Sequence, residues 1–383
     1  MTGEAELTMS KAARLGIVGL LVSAAVVLAA GPATASDHHT WVVSPGDGTI
    51  SAAVSAASPG DTLQLREGTF HDSVFVGQLD AQGNPLPKPL TIRGEGYETV
   101  IRPPVGPSTN PCNSMGGVEG LCVTGQLDAQ GNPVLSNPVH DVHISDLRTT
   151  GFSDSGVIGF NTEGLDVRHV RSDHNGGYGI ARFASTNSLF ADNWVSYNGE
   201  AGLYMGDSPN ADSVVRGNWA DHNGFGIFLR DSTEILAEDN VSWGNCVGIL
   251  ALNSGHGATG ATGAGHHTIQ DNTVTANDQA CPGTEGPPTS GIGIALAGVV
   301  GTTVSDNTVT NNKPGGPSLA SGGVVIVSGA QGTSPPSNNT VTDNELDGNQ
   351  PADIFWDQTG TGNKVSDNDC DTAIPGNLGW CSP

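Results

Sequence analysis

Asn193-Trp194-Val195-Ser196-Tyr197-Asn198, Asn218-Trp219-Ala220-Asp221-His222-Asn223 and Asn240-Val241-Ser242-Trp243-Gly244-Asn245 share one frame, an Asn at each end with four residues between. The first Asn belongs to a column that reads Leu147, Val170, Asn193, Asn218, Asn240, Asn272, Asn307, Asn344, Asn368. The second belongs to Phe152, Asn175, Asn198, Asn223, Asn245, Asn277, Asn312, Asn349. Early intervals within the first column are about 22 to 25 residues, the length of a coil of three short strands and three turns. Helical solenoid repeats are longer. Asn suits such a turn because its amide can bond the neighbouring coil and its backbone tolerates the left-handed conformation.

Within a coil, Asn307-Thr308-Val309-Thr310 alternates with period two, and Gly-x-Gly-Ile opens the next strand at Gly177-Tyr178-Gly179-Ile180, Gly224-Phe225-Gly226-Ile227 and Gly291-Ile292-Gly293-Ile294. Later intervals widen to about 32 to 37 residues through Gly-, Pro-, Ser- and Thr-rich insertions at 254–265, 283–290 and 313–321. The words Gly77 to Pro85 recur at Gly125 to Pro133, as two turn insertions on early coils. With 55 Gly, 23 Pro and only 5% aromatic residues, a helical globule is excluded. One helix is expected, Ile50 to Ala57, capped by Thr49 or a residue near it and closing the first coil, with strands to follow at Asp61 to Leu65 and Pro89 to Arg93.

Lys11 and Arg14 precede an apolar run from Leu15 to Ala30, and Ala33-Thr34-Ala35 offers a cleavage site before Ser36. This is the pattern of a secretory signal peptide over 1–35. It predicts a secreted, extracellular chain with no membrane anchor: a single domain over 36–383, with an N-terminal cap at about 41–72, coils to about 369 and a C-terminal cap at 370–383. Six cysteines in an exported chain suggest disulfides, and the local pairs Cys112 with Cys122, Cys246 with Cys281 and Cys370 with Cys381 suit a solenoid, whose distant residues lie on distant coils. Removing the leader takes two basic and two acidic residues, leaving 12 Lys plus Arg against 37 Asp plus Glu and a net charge of −25, which excludes nucleic acid as a partner. Arg148, Arg168, Arg171, Arg182, Arg216 and Arg230 fall on four successive coils. After them only Lys313 and Lys364 remain.

The same coils place chemistry in outward columns. One residue after the first Asn column come Arg148, Arg171, Trp194 and Trp219; three after, Thr150, Asp173, Ser196 and Asp221; four after, His174, Tyr197 and His222. Coils are about 4.8 Å apart, so these side chains form one patch, suited to sugar: rings stack on pyranose faces while Arg, Asp and His read hydroxyls or carboxylates. Arg171 stacked on Trp194 would equally serve to stiffen an exposed sheet. A second candidate groove follows the Gly-x-Gly turns, at Ala181, Tyr204, Phe228 and Leu250, with Arg182 and Arg230 beside it.

The opening segment, Gly48-Thr49-Ile50-Ser51-Ala52-Ala53-Val54, then Pro59-Gly60-Asp61-Thr62-Leu63, Glu67-Gly68-Thr69-Phe70 and Leu90-Thr91-Ile92-Arg93-Gly94, resembles secreted bacterial right-handed parallel β-helix repeat proteins. That superfold is shared by pectate lyases, several glycoside hydrolases and polyuronate epimerases. The resemblance implies an all-β, single-stranded, right-handed solenoid with a short N-terminal capping helix. It also implies a polysaccharide partner. Catalytic signatures do not carry over: Gly255-His256-Gly257 resembles part of the polygalacturonase pattern but lacks its aspartate runs, and the epimerase Asp-Pro-His-Asp run is absent.

The expected function is therefore a monomeric carbohydrate-interacting protein, either a polysaccharide lyase or glycoside hydrolase or a non-enzymatic binding or envelope-associated protein. In a lyase, Arg171 or Arg148 would neutralise a uronate carboxylate, His174 or His222 would take the ring proton and Tyr197 would donate to the leaving oxygen. In a hydrolase Asp173 and Asp221 would serve as acid and base, while Trp194, Trp219, Arg182, Tyr204 and Arg230 hold substrate. No cofactor is required, although Ca²⁺ would let so acidic a chain meet a polyuronate.

Overall fold

Each coil is short because its corners are fixed by residues that accept a left-handed backbone. In the computed structural model, which describes residues 38–115, 117–255, 263–283, 286–330, 334–376 and 379–382, the residue before each first-column Asn has positive φ: Asp192 at 55°, Asp239 at 55°, Asp271 at 55° and Asp306 at 59°. Asp is among the few residues that adopt this conformation cheaply. The chain thus runs a strand (Leu189–Ala191), a corner, a second strand (Trp194–Ser196), a second corner at Tyr197 and a third strand (Ala201–Gly206) before the next coil repeats the circuit. First and second strands merge into a 22-stranded sheet and third strands form an 11-stranded sheet. The pairing between coils is parallel, as Trp194 beside Trp219 and Leu203 beside Ile227 show.

Inward residues stack by type. Phe190, Val215, Ala237, Ile269, Val304 and Val341 form one buried column, and Ile180, Leu203, Ile227, Ile249, Ile294 and Val324 another. Each Phe, Leu, Ile or Val among them stabilises by about 1.5–3 kcal/mol when fully buried. Both Asn columns are hydrogen-bonded ladders. Asn218 Oδ1 accepts from Asn193 N and Nδ2, both at 3.0 Å, while Asn218 Nδ2 donates to Phe190 O and Asn240 Oδ1, both at 2.9 Å. The second ladder ends on Asp353, whose carboxylate accepts from Asn349 Nδ2 at 2.9 Å and from Thr372 N at 3.1 Å. A third ladder joins third strands to the following coil and has mixed composition: Ser213 Oγ caps Ser188 N, His267 Nδ1 caps Ile235 N, and Asn339 Oδ1 caps Thr302 N. Burial pushes the His267 imidazole down to about 3, so it is neutral and free to accept.

The helix spans Thr49–Ala56 and buries Ile50 and Val54 against the first coil. Its cap differs from expectation. Thr49 Oγ1 donates to Ser44 O, and Asp72 supplies the cap instead, accepting from Ser51 N at 2.9 Å and Ser51 Oγ at 2.6 Å. The early strands are Thr62–Leu65 and Thr91–Arg93, slightly shorter than expected. The repeated insertions adopt one turn twice. Asp80 accepts from Gln82 N and Asn84 N as Asp128 does from Gln130 N and Asn132 N, and Leu127 N donates to Pro85 O across the two. All three cysteine pairs are the local ones. The signal segment and His256-Gly257 lie outside the described residues, among which no helix is long and apolar enough to cross a membrane.

Asn272→Ala leaves Asn240 N without its acceptor in a dry interior. A loss of about 2 kcal/mol or more is expected in denaturant unfolding, from the cost of orphaned buried polar groups; a loss below about 0.5 kcal/mol would contradict the ladder's role.

Candidate functional site

The second corner carries the predicted patch, and its side chains meet. His174 stacks on Tyr197 at 5.0 Å and 18°, Tyr197 on His222 at 4.6 Å and 12°, and His222 meets Trp243 edge-on at 4.5 Å. Arg171 lies 4.2 Å over the Trp194 ring. These contacts run along the solenoid axis, so the ring faces of Tyr197 are covered by its neighbours and the ladder shows edges to solvent. Tyr197 is 51% exposed and Trp219 46% exposed. A sugar can reach the indole of Trp219, but neither ring face of Tyr197 is open to it.

Asp173 organises the patch. Fully buried, it accepts from Arg148 Nε at 2.9 Å and Nη2 at 2.7 Å, Arg171 Nε at 2.6 Å, Thr150 Oγ1 at 2.7 Å and His174 Nδ1 at 3.1 Å. Burial alone would raise its carboxyl, but these hydrogen bonds outweigh it and hold the group at about 2. This corrects two expectations. Asp173 is too well satisfied to act as acid or base near neutral pH, and Arg148 and Arg171 spend their charge on it. Asp221 is similarly engaged, by Trp194 Nε1 at 2.7 Å and His222 Nδ1 at 2.9 Å. His174 and His222 thus each point one ring nitrogen at a carboxylate.

The other predicted groove lies on the outer face of the third sheet, and the structure splits its members. Arg182 alternates inward: it is fully buried, donating through Nη1 to Ser185 O and Ser208 Oγ and through Nη2 to Ser213 Oγ at 3.3 Å. It therefore cannot contact a substrate as expected, because in a strand neighbouring residues face opposite sides. Tyr204 faces outward but is 1% exposed, beneath Tyr178 and Phe183, each 4.7 Å away. It is therefore no stacking platform. Its hydroxyl lies over Gly206, where any Cβ would collide with it, and makes no hydrogen bond with a described residue. Gly206 pairs with Arg230 of the next coil.

Two residues that the sequence did not single out complete this site. Asp207 follows Gly206 and Asp231 follows Arg230; Asp207 N donates to Arg230 O at 3.1 Å. Asp231 is buried, taking Arg230 Nε at 3.2 Å and Ser254 Oγ at 2.6 Å. Asp207 is half-buried, and burial, then the Asp231 charge, push its carboxyl above the usual range, with Arg230 opposing. At the entering edge of the same sheet Glu200 is half-buried. Glu119 is fully buried there, with Oε2 accepting Ser155 N at 2.8 Å, and burial together with Asp154 pushes it up to about 7. Longer loops leave both edges of this sheet in later coils. Among the described residues no cluster of three or more His, Cys, Asp or Glu side chains is disposed to hold a metal ion.

A continuous parallel coil, hydrogen-bonded turn ladders and one loop-flanked sheet define the class: the chain is a right-handed parallel β-helix with the pectate-lyase-like fold. Residues 126–261 match the family described as the right handed beta helix region. Similar solved structures include the A-module of the mannuronan C-5 epimerase AlgE6 of Azotobacter vinelandii, 17% identical, covering 86% of this chain and 92% of that one at a TM-score of 0.58. DFA-IIIase from Arthrobacter chlorophenolicus A6 is 11% identical over 87% and 94% at 0.52, and a Family 28 exopolygalacturonase of Yersinia enterocolitica is 12% identical over 90% and 79% at 0.50. No curated protein matches the chain.

Because the Asp173 carboxyl is held below its ordinary value of 3.8, its contribution to stability is present above about pH 4 and is lost as pH falls toward 2. Unfolding followed from pH 6 to pH 2 should show this loss in the parent. In Asp173→Asn the loss should be smaller and stability at pH 6 lower, since two guanidinium groups lose their anion; parallel pH profiles for the two proteins would contradict the assignment.

Proposed function

We propose that this protein is an exported carbohydrate-active enzyme that hydrolyses glycosidic bonds of a polysaccharide laid across its third sheet. The observation that carries the reading is Asp207: a half-buried carboxyl, raised by desolvation and by Asp231, placed next to Arg230. A carboxyl that holds its proton longer than usual is a general acid for a leaving glycosidic oxygen. Asp231 lies one coil away, a spacing of about 5 Å along the sheet, and its charge helps to keep the Asp207 proton in place. Arg230 and the Tyr204 hydroxyl stand beside them to hold the sugar. Enzymes acting on carbohydrates among the similar folds support the reading. So do the leader pattern and three disulfides, which suit an extracellular chain.

β-Elimination is favoured less. It needs a cation free to neutralise a uronate, and Arg148 and Arg171 are bound to Asp173. A second reading, non-enzymatic binding of carbohydrate at the second corner, rests on the exposure of Trp194 and Trp219.

Incubating the protein with a panel of neutral and uronic-acid polysaccharides, with and without Ca²⁺, while recording reducing ends and unsaturated-product absorbance, tests this. Reducing ends without absorbance are expected. Asp207 has a φ of 53°, which Asn tolerates, so Asp207→Asn should fold normally and lose about 100-fold or more in turnover. Full activity in that variant would remove Asp207 from the mechanism, and silence of the parent across the panel with retained binding would favour the second reading.

A further inference from the structure

Resting on that reading, we infer that the third-sheet site selects an uncharged, hydroxyl-rich glycan and that Tyr204 is a specificity-determining residue. The outer face of these strands carries one basic side chain among the described residues, Arg230, and it is already paired with Asp231. Against it stand Asp207, Asp231 and Glu200, on a chain whose net charge is −25. A polyuronate entering here would bring its carboxylates toward fixed carboxylates with no unpaired cation to receive them. The interaction strengthens as water is excluded, so the repulsion would be felt most beside half-buried Asp207. A cationic glycan is disfavoured differently. An ammonium group beside Asp207 would stabilise its ionised form and remove the proton that the mechanism uses.

A neutral sugar meets neither difficulty, and the side chains around Asp207 supply what such a sugar needs. The outer face of the sheet there is aromatic, with Tyr178, Phe183 and Phe228 packed around Tyr204 at 4.7 to 5.3 Å. Tyr204 is the independent sign of a ligand. It is 99% buried by residue area, yet its hydroxyl has no hydrogen-bond partner among the described residues, while Gly206 leaves room for it beside Arg230 and Asp207. A phenol both donates and accepts, which matches a sugar hydroxyl and not a carboxylate alone. A site built to bond a hydroxyl rejects an analogue lacking it, because its own polar group is then left unpaired.

The test uses the whole mature parent protein, with Asp207→Asn titrated beside it so that binding is read apart from turnover. Neutral gluco-, galacto- and fructo-oligosaccharides, oligogalacturonate and glucosamine oligomers are titrated by calorimetry at low and at physiological salt. At least one neutral oligomer should bind about tenfold or more tighter than oligogalacturonate, and the parent should release reducing ends from it about tenfold or more faster than from glucosamine oligomers. Tyr204→Phe, which keeps the ring and its packing, should lower that affinity about tenfold while leaving the thermal unfolding midpoint within a few degrees. Oligogalacturonate binding as tight as the best neutral oligomer, or glucosamine oligomers cleaved by the parent as fast as that oligomer, would overturn the selectivity, and unchanged neutral binding in Tyr204→Phe would overturn the role of the hydroxyl. Selective neutral binding by a parent protein that releases no reducing ends would instead sink the hydrolytic reading and leave this inference standing.

Discussion

Everything in this solenoid depends on satisfying the backbone at corners that no water reaches. A coil of three short strands turns too often to hide its corner amides in regular sheet, and each orphaned buried group would cost about 1–3 kcal/mol. The stacked amides solve this for the whole length at once. Each Asn accepts from the backbone and side chain of the preceding coil and donates to the next, so that Asn193, Asn218, Asn240 and Asn272 form one continuous chain of bonds. Register follows from the ladder, because a slip of one residue would break it in every coil.

Fixed register has a consequence for the outer surface. Outward residues of successive coils must lie side by side, so any chemistry repeated in sequence becomes a column in space. Arg171 on Trp194 and His174 on Tyr197 on His222 are such columns, and their side chains satisfy one another. The same regularity that makes a ladder legible also makes it self-sufficient. The third sheet is different: its outer face carries Arg230, and Asp207 and Asp231 follow at the corner, where the Asp231 charge and burial raise the Asp207 carboxyl beside a phenol that has no hydrogen-bond partner among the described residues.

The −25 net charge is distributed in keeping with this division. The early coils set their arginines against carboxylates, as Arg168 with Asp166 and Arg66 with Glu95 do. The later corners repeat Asp at 271, 306, 343 and 367, where the side chain is chosen for its backbone conformation and its charge is left to solvent.

The sequence by itself determined the solenoid, its coil length and two of its ladders, because these rest on Asn recurring in one frame, and its disulfides, because distant residues of a solenoid lie on distant coils. It also brought the members of the second-corner patch together correctly. The third ladder was not legible, since Ser188, Ser213, His267, Thr302 and Asn339 share a role without sharing a residue type. Nor was the helix cap, which Asp72 delivers from a neighbouring strand. Only the tertiary structure decided which chemically interesting residues remain available. Arg182 and Arg230 read alike in sequence, but strand alternation buries the first and exposes the second; Asp173 and Asp207 read alike, but five donors hold the first ionised while desolvation and Asp231 raise the second. Which carboxyl keeps its proton depends on how many partners surround it in space, and a one-dimensional pattern does not count them.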